Sequence, residues 1–292
     1  MRLRWQTETT TVAMPETGVG LFPDAGFALF TARMPRPAVG LHMALTGARV
    51  SGAADLLHSG IATHFVPLEQ YDQMAAAMIA HDYRAAAAAA ADTPGGRADR
   101  AHSAVQEVLG RFARLPPNAT VGVGDGDAGL LAQLPWIERH VGGCAGSVAN
   151  LLRGLDAVGA SATGGAEAAW AAETAAMVRK GSPTSVLATM AHYDRVRHLV
   201  IAASSAVATA GETVRAALEA DFFLIRRLLR RGDFAEGVRA VLVEKDNSPE
   251  WAPAAFAEVG ANEVAALLQP YQDGLAVVAA QLPTSPSVAS RL

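Results

Sequence analysis

Strand-like sequence is confined to the first 67 residues of this 292-residue chain, and that shortage limits what it can fold into more than any other feature. "QTETTTVAM" (6–14) alternates polar and β-branched residues, as a strand would, and "IATHFV" (61–66) reads as a short buried strand. Between them lies helical sequence. "FALFTARM" is a short run ended by Pro35, and "AVGLHMAL" closes at Thr46 and Gly47, a natural residue just past a helix end. Ser51 stands where it can cap "GAADLLHS", which Gly60 terminates. Two strands are too few to close a sheet of their own. Residues 68–115 are helical and rich in alanine, with "AAAAAAAD" (85–92) high in helix propensity and "TPGG" (93–96) breaking it. That reading gives a long helix, a flexible joint that is a candidate boundary, and a second helix. From 134 onward the pattern is mostly helical: "LPWIERHV", "SVANLLRGLDAV", "GAEAAWAAETAAMVRK", "TVRAALEADFFLIRRLLRRG", "DFAEGVRAVLVEK" and "NEVAALLQPYQDGLAVVAAQL". The tail "LPTSPSVASRL" reads as frayed. No internal repeat of 20 to 50 residues stands out.

The composition, 51% hydrophobic and 18% charged, is that of a globular chain able to bury a sizeable core. With 24 basic and 28 acidic residues the net charge is −4, so no basic face is advertised and nucleic acid is not an expected partner. The single cysteine, Cys144, excludes an intrachain disulfide, agrees with a reducing compartment, and reads as a small residue in a Gly-rich loop. "HLVIAASSAVATA" (198–210) comes nearest to a membrane segment but is too short and too rich in Ser and Thr, so no membrane span is expected. "MRLRWQTETTTVA" lacks the apolar core of a secretory signal.

Several motifs invite chemistry and fall short. "GDGDAG" (124–129) fits G-x-G-x-x-G, but the next thirty residues supply no returning strand, so it reads as a loop rather than a dinucleotide fingerprint. Asp125 and Asp127 miss the spacing of a calcium loop. The histidines, His192 among them, form no pair with metal-ligand spacing and read as ordinary core or surface residues. No G-x-S-x-G elbow is present.

"MPETGVGLFPDAG" (14–26) differs from these. It sets Glu16 and Asp24 among glycines, prolines and apolar residues. Pro15 places Glu16 after a rigid turn, Gly18 and Gly20 let the backbone pass close to a ligand, and Phe22 and Pro23 make the surroundings apolar. A carboxyl group desolvated there would have a raised pKa suited to proton transfer near neutral pH. Eight residues on, Asp24 could turn back into the same cavity, and two carboxylates in one pocket can divide their tasks. On the residues alone, a shared site and two separate surface loops both remain open.

"MPETGVGLFPDAG", "LTGARVSGAADLLHSGIATHFVP", "KGSPTS" and "DFAEGVRAVLVEKDNSPEWAP" together resemble the 3-hydroxyisobutyryl-CoA hydrolase branch of the crotonase (enoyl-CoA hydratase/isomerase) superfamily. The resemblance runs from about residue 5 to 260 and is weak across 68–175. It implies an α/β crotonase-type fold, a ββα spiral core with a helical C-terminal region, in a chain expected to be mostly α because most of the core sheet is missing. Residues 1–67 would be the end of that core carrying the carboxylates, 68–133 a helical connector and 134–292 the helical C-terminal region. The implied activity is hydrolysis of the thioester of 3-hydroxyisobutyryl-CoA and related 3-hydroxyacyl-CoAs in valine breakdown, with neither metal nor redox cofactor. Glu16 matches the catalytic carboxylate, and Asp24 matches the aspartate that contacts the substrate 3-hydroxyl. Lys245 falls where related enzymes bring a cationic helix near the CoA phosphates, although a salt bridge or a solvated lysine explains it as well.

The departures from the family pattern matter equally. Family members carry a long region before "MPET" that holds the spiral strands and both backbone donors of the oxyanion hole, and one such donor is typically worth ~2.7–4 kcal/mol in the transition state. Phe27 replaces a usual second glycine and is expected to narrow the pocket. Three readings follow. One is a hydrolase whose start lies upstream of Met1. Another is a non-catalytic relic that binds acyl-CoA or pairs with a full-length paralogue. The last is an enoyl-CoA hydratase or isomerase. A homo-oligomer is compatible with each. The resemblance places the protein in mitochondria in a eukaryote and in the cytoplasm in a bacterium, not outside the cell.

Overall fold

The computed structural model describes residues 3–81, 94–116, 129–144, 146–161, 165–205 and 210–270. The alanine run 85–92, Asp125 and Asp127, and everything after 270, including the end of the expected last helix and the tail, lie outside them. The chain divides into two compact units, each assembled from separated segments. The first takes 1–13, 34–39 and 48–143; the second takes 14–33, 40–47 and 144–292.

The first unit holds the described strands. β1 (Trp5–Gln6) pairs in parallel with β4 (His64–Phe65), with Trp5 opposite His64. β2 (Thr11–Val12) pairs antiparallel with β3 (Val50–Ser51), with Thr11 opposite Ser51. The stretch "QTETTTVAM" is therefore not one strand. A turn interrupts it: the Thr7 N–H donates to Thr10 Oγ1 at 3.0 Å, and the Thr10 N–H donates to the Thr7 carbonyl at 3.3 Å. Threonine hydroxyls offer the backbone a local partner in place of a ladder, and here they end the strand. Ser51 likewise does not cap a helix. It lies in β3, and Gly52, at φ 98°, precedes α3 (Ala53–His58) with no side-chain cap.

Helix α4 (Tyr71–Ala80) and helix α5 (Pro94–Phe112) pack together over Val66, the residue after β4, through Met74 and Leu109, with Met78 and Phe112 alongside. Of the expected break at "TPGG", Thr93 lies outside the described residues, and Pro94, Gly95 and Gly96 form the first turn of α5, so the second helix starts within that stretch. Proline is tolerated in a first helical turn, where its missing N–H would have had no partner, and glycine there weakens the helix by only about 1 kcal/mol. Asp55 of α3 accepts the Leu130 and Leu131 N–H groups at 2.9 and 3.2 Å, which supplies an N-terminal cap from a distant segment to α6 (Leu130–Trp136). Pro135 interrupts the ladder of that helix, which continues as a π turn, Ile137–Val141.

The second unit is helical among its described residues. It begins with a 3-10 turn, Glu16–Val19, and α1 (Phe27–Ala32). Helix α2 (Pro37–Thr46) starts in the first unit and ends in the second, where Gly47 closes it at φ 70°. Helix α7 (Val148–Gly159) buries Val148, Leu151, Leu152 and Leu155, a stripe with helical spacing. It packs on α8 (Ala166–Lys180), which presents Trp170, Ala171, Thr174, Ala175 and Val178. Each fully buried leucine in such a seam contributes about 1.5–3 kcal/mol. Next comes the 23-residue α9 (Pro183–Ser205), which sequence patterning does not single out as one helix. Its start is written in "SPTS": Ser182 Oγ accepts the Ser185 N–H at 3.2 Å, and Pro183 occupies the first helical position.

Helix α10 (Ala210–Leu228) packs against α9 and α1 through Phe27, Ala28, Leu29, Tyr193, Val196 and Ala217. A second cluster joins Phe22 and Ala188 to Leu224 and Leu228, and to Leu267 of α12 (Ala261–Leu268). The last carbonyls of α12 are met by two cations. Arg227 donates to the Leu267 carbonyl at 2.9 Å and Arg195 donates to that of Leu268, as favours a helix C-terminus. Between α10 and α12, α11 (Gly232–Val238) runs into a π turn, Arg239–Val243. No described helix is long and apolar enough to cross a membrane.

Candidate active site

Glu16 and Asp24 line one cleft of about 350 Å³ in the second unit, together with Met14, Ala25, Gly26, Phe27 and Phe30. Of the two arrangements open to these carboxylates, the shared cavity is the one found. Phe27 does border it, as its place in the motif suggests. Lys245 is not among the lining residues. It sits on an exposed loop at φ 59°, its carbonyl accepting the Asn247 side-chain amide at 3.1 Å.

The Glu16 turn is held from two sides by the later sequence motifs. Ser182 of "KGSPTS" donates its N–H to the Thr17 carbonyl at 3.0 Å. On the other side α11 lies directly on the turn: a Cβ on Gly20 would stand 2.5 Å from the Asp233 backbone, and a Cβ on Gly237 would stand 2.5 Å from Val19. Only glycine at both positions permits that approach. Buried Asp233 ties the three segments together, accepting the Ser182 hydroxyl at 2.5 Å and the Ala252 N–H of "PEWAP" at 2.9 Å. Arg239 organises the loop beyond by donating to Glu236, Glu244 and Asp246 and to the Ser248 carbonyl. Its partners hold the Arg239 guanidinium above its ordinary pKa, and the same contact pulls Glu236 down to about 2.

In this setting Glu16 is half-buried, and its Oε2 is buried with no hydrogen-bond partner among the described residues. Burial raises its pKa above the ordinary carboxylate value, a backbone hydrogen bond opposes the rise, and the Asp24 charge adds to it. A partly desolvated carboxylate on a residue that lines an apolar cleft can take a proton or meet an electrophilic carbon. Asp24 heads a tight turn, its carbonyl accepting the Phe27 N–H at 3.0 Å, with Ala25 at φ 54° and Gly26 at φ 81°. A left-handed alanine is uncommon and locally unfavourable, so the surroundings must impose this conformation.

Sequence reasoning passed over the groups beneath this turn. Asp221, 5% exposed, accepts the Gly26 N–H on Oδ2 at 2.6 Å and the His192 Nε2 hydrogen on Oδ1 at 2.7 Å. His192 is fully buried, and its ring meets Phe22 edge-on at 5.2 Å. Tyr193 accepts from the Thr31 hydroxyl at 3.0 Å, and burial drives its phenol pKa up. A signal for Asp221 was available, since it stands inside the apolar stripe of Ala217, Leu224 and Leu228, where a carboxylate requires a partner. Among the described residues no group of three His, Cys, Asp or Glu side chains could hold a metal ion.

Comparison with known proteins agrees with the sequence motifs. The family model described as enoyl-CoA hydratase/isomerase matches residues 1–268. The mitochondrial 3-hydroxyisobutyryl-CoA hydrolase of Homo sapiens is 31% identical over 88% of this chain and 55% of its own length. 3-Hydroxyisobutyryl-CoA hydrolase 1 of Arabidopsis thaliana is 28% identical over 86% of this chain and 56% of its own. The chain thus spans about half the length of these relatives. Among solved structures, a carnitinyl-CoA dehydratase from Mycobacterium thermoresistibile superposes with a TM-score of 0.65 at 29% identity, covering 94% of this chain and 63% of that one. An enoyl-CoA hydratase from Rhodobacter sphaeroides 2.4.1 gives 0.60 at 26% identity, covering 92% and 62%. The fold is of the crotonase type.

Proposed function

The chain belongs to the enoyl-CoA hydratase/isomerase family, and from that premise we propose that it hydrolyses the thioester of 3-hydroxyisobutyryl-CoA, and of related 3-hydroxyacyl-CoAs, to the free acid and CoA. The observation that carries this reading is Glu16, which lines one cleft with Asp24 and whose Oε2 is buried without a partner among the described residues. The hydrolase relatives support the choice of substrate. Glu16 acts on the thioester carbon directly or through water. In the water route its carboxylate takes a proton as the water oxygen bonds to the acyl carbon. Collapse of the tetrahedral intermediate breaks the C–S bond, and the proton passes to the departing thiolate. Asp24 accepts a hydrogen bond from the substrate 3-hydroxyl and so selects hydroxylated acyl chains. Lys245, on its exposed loop, is assigned to the CoA phosphates in this reading. The reaction would belong to valine breakdown, in mitochondria or in bacterial cytoplasm according to the source.

The test is thiol release from 3-hydroxyisobutyryl-CoA by the protein as its own cells make it, with its N-terminus read by mass spectrometry. Release that Glu16→Gln abolishes, with CoA binding retained, is the expected result; an active Glu16→Gln protein refutes the role of Glu16. The solved dehydratase and hydratase favour a second reading, water addition to an enoyl-CoA by the same two carboxylates. Loss of enoyl absorbance without thiol release would establish that reaction instead.

A further inference from the structure

We propose that Asp221, backed by His192, is the positioning residue that fixes the Asp24 turn and thereby sets discrimination for the 3-hydroxyl of the acyl group; the selectivity part of this inference rests on the function proposed above. The same buried pair grips the turn on both sides of Asp24. Behind it in sequence, the His192 ring packs edge-on against Phe22 at 5.2 Å. Ahead of it, Asp221 Oδ2 accepts the Gly26 N–H at 2.6 Å. The two grips are joined by the His192 Nε2 to Asp221 Oδ1 contact at 2.7 Å. Asp24 and Ala25 span the interval, and Ala25 is held at φ 54°, a conformation an alanine does not choose unaided. A charge-assisted hydrogen bond from the Gly26 N–H to a carboxylate that is itself anchored is strong enough to impose it.

The pair lies on α9 and α10, two long helices fixed by the Tyr193, Val196 and Ala217 cluster, so its position is set by rigid elements rather than by the loop it holds. Neither Asp221 nor His192 lines the cleft, so neither touches the substrate. Asp221 acts through the Gly26 amide. If that bond is weakened, the Asp24–Gly26 turn relaxes toward ordinary backbone angles and the Asp24 carboxylate leaves the place where it meets a hydroxyl.

The experiment uses Asp221→Asn, which keeps size, and His192→Gln as a second variant, each with thermal melting as a check of folding. Hydrogen exchange at the Gly26 amide reports the grip directly, whatever the protein catalyses. Losing a charge-assisted bond predicts exchange at least ~10-fold faster. The second readout is the ratio of binding constants for 3-hydroxyisobutyryl-CoA and isobutyryl-CoA, measured by calorimetry in a Glu16→Gln background. We expect that ratio to fall ~10-fold in Asp221→Asn and to fall no further when Asp24→Asn is added, because the two residues act as one unit. A merely structural Asp221 would weaken both ligands equally. Unchanged Gly26 exchange, or faster exchange with an unchanged ratio, overturns the proposal. If the unsubstituted protein does not distinguish the two thioesters, the proposed substrate has failed, and Gly26 exchange alone then decides the positioning role.

Discussion

Replacing Gly237 by alanine tests the contact that presses α11 onto the Glu16 turn. In a helix this exchange normally stabilises by about 1 kcal/mol, because glycine loses more backbone entropy on folding. Here the added Cβ would stand 2.5 Å from Val19 C and Cα, against an ordinary contact of at least 3.4 Å, so about 0.9 Å of movement must be found. The neighbour is backbone and cannot rotate aside. Overpacking of this kind costs about 1–3 kcal/mol, which cancels or exceeds the helical gain. The larger effect is on the chemistry, because the segment that must yield carries Glu16 and a misplacement near 1 Å can lower a rate by about 100-fold. The control is Gly154→Ala, in the middle of α7 with nothing within 4 Å of its Cβ, which should gain the full ~1 kcal/mol and leave activity alone. Thermal melting and turnover of the proposed thioester, measured side by side, check both. If Gly237→Ala melts higher and turns over normally, the turn is not pinned by α11 and the argument fails.

Glu16→Gln should raise stability at neutral pH while removing activity. The folded-state pKa of Glu16 is raised, so its protonated form is the one the fold prefers: that contribution is complete below the unfolded carboxylate value and is lost as pH rises through the folded one. The variant's advantage in melting temperature should therefore be clear at pH 7 and vanish in acid, and an advantage that persists in acid would refute the cause given. The acid limb of the activity profile should lie above the 4.5 of an ordinary glutamate and move down in Asp24→Asn, which removes a neighbouring negative charge. Ser182→Ala takes from buried Asp233 its 2.5 Å hydroxyl donor and from α9 its cap, a loss of about 2–4 kcal/mol readable by denaturant unfolding.

The four motifs read from the sequence all reappear in the structure, and three of them converge on one place. "MPETGVG", "KGSPTS" and "DFAEGV" meet at Thr17, Ser182, Asp233 and Gly237, which explains the glycines in all three and the buried acid in the last. Helices were legible wherever apolar spacing was strong, as in "SVANLLRGLDAV". Strand lengths were not, because the Thr7–Thr10 turn uses side-chain hydroxyls that look like strand residues in an alternation count. The candidate site was legible in Glu16 and Asp24, which line one cleft, and blank in the groups behind them. Asp221 and His192 lie 29 residues apart on different helices, and nothing in local spacing announces that they touch.

Because the second unit is stitched from three separated segments, its completion depends on when each is made. The turn that carries Glu16 is synthesised early relative to its support: the backbone against which it closes, at Asp233 and Gly237, follows more than two hundred residues later. At ordinary synthesis rates that is a delay of roughly 10–40 s, and for most of it Phe22, Phe27 and Leu29 have no helices α9 and α10 to cover them. Newborn chains would present this apolar stretch to chaperones, and a substitution that slows docking of α11 could lower yield in the cell without altering the finished molecule.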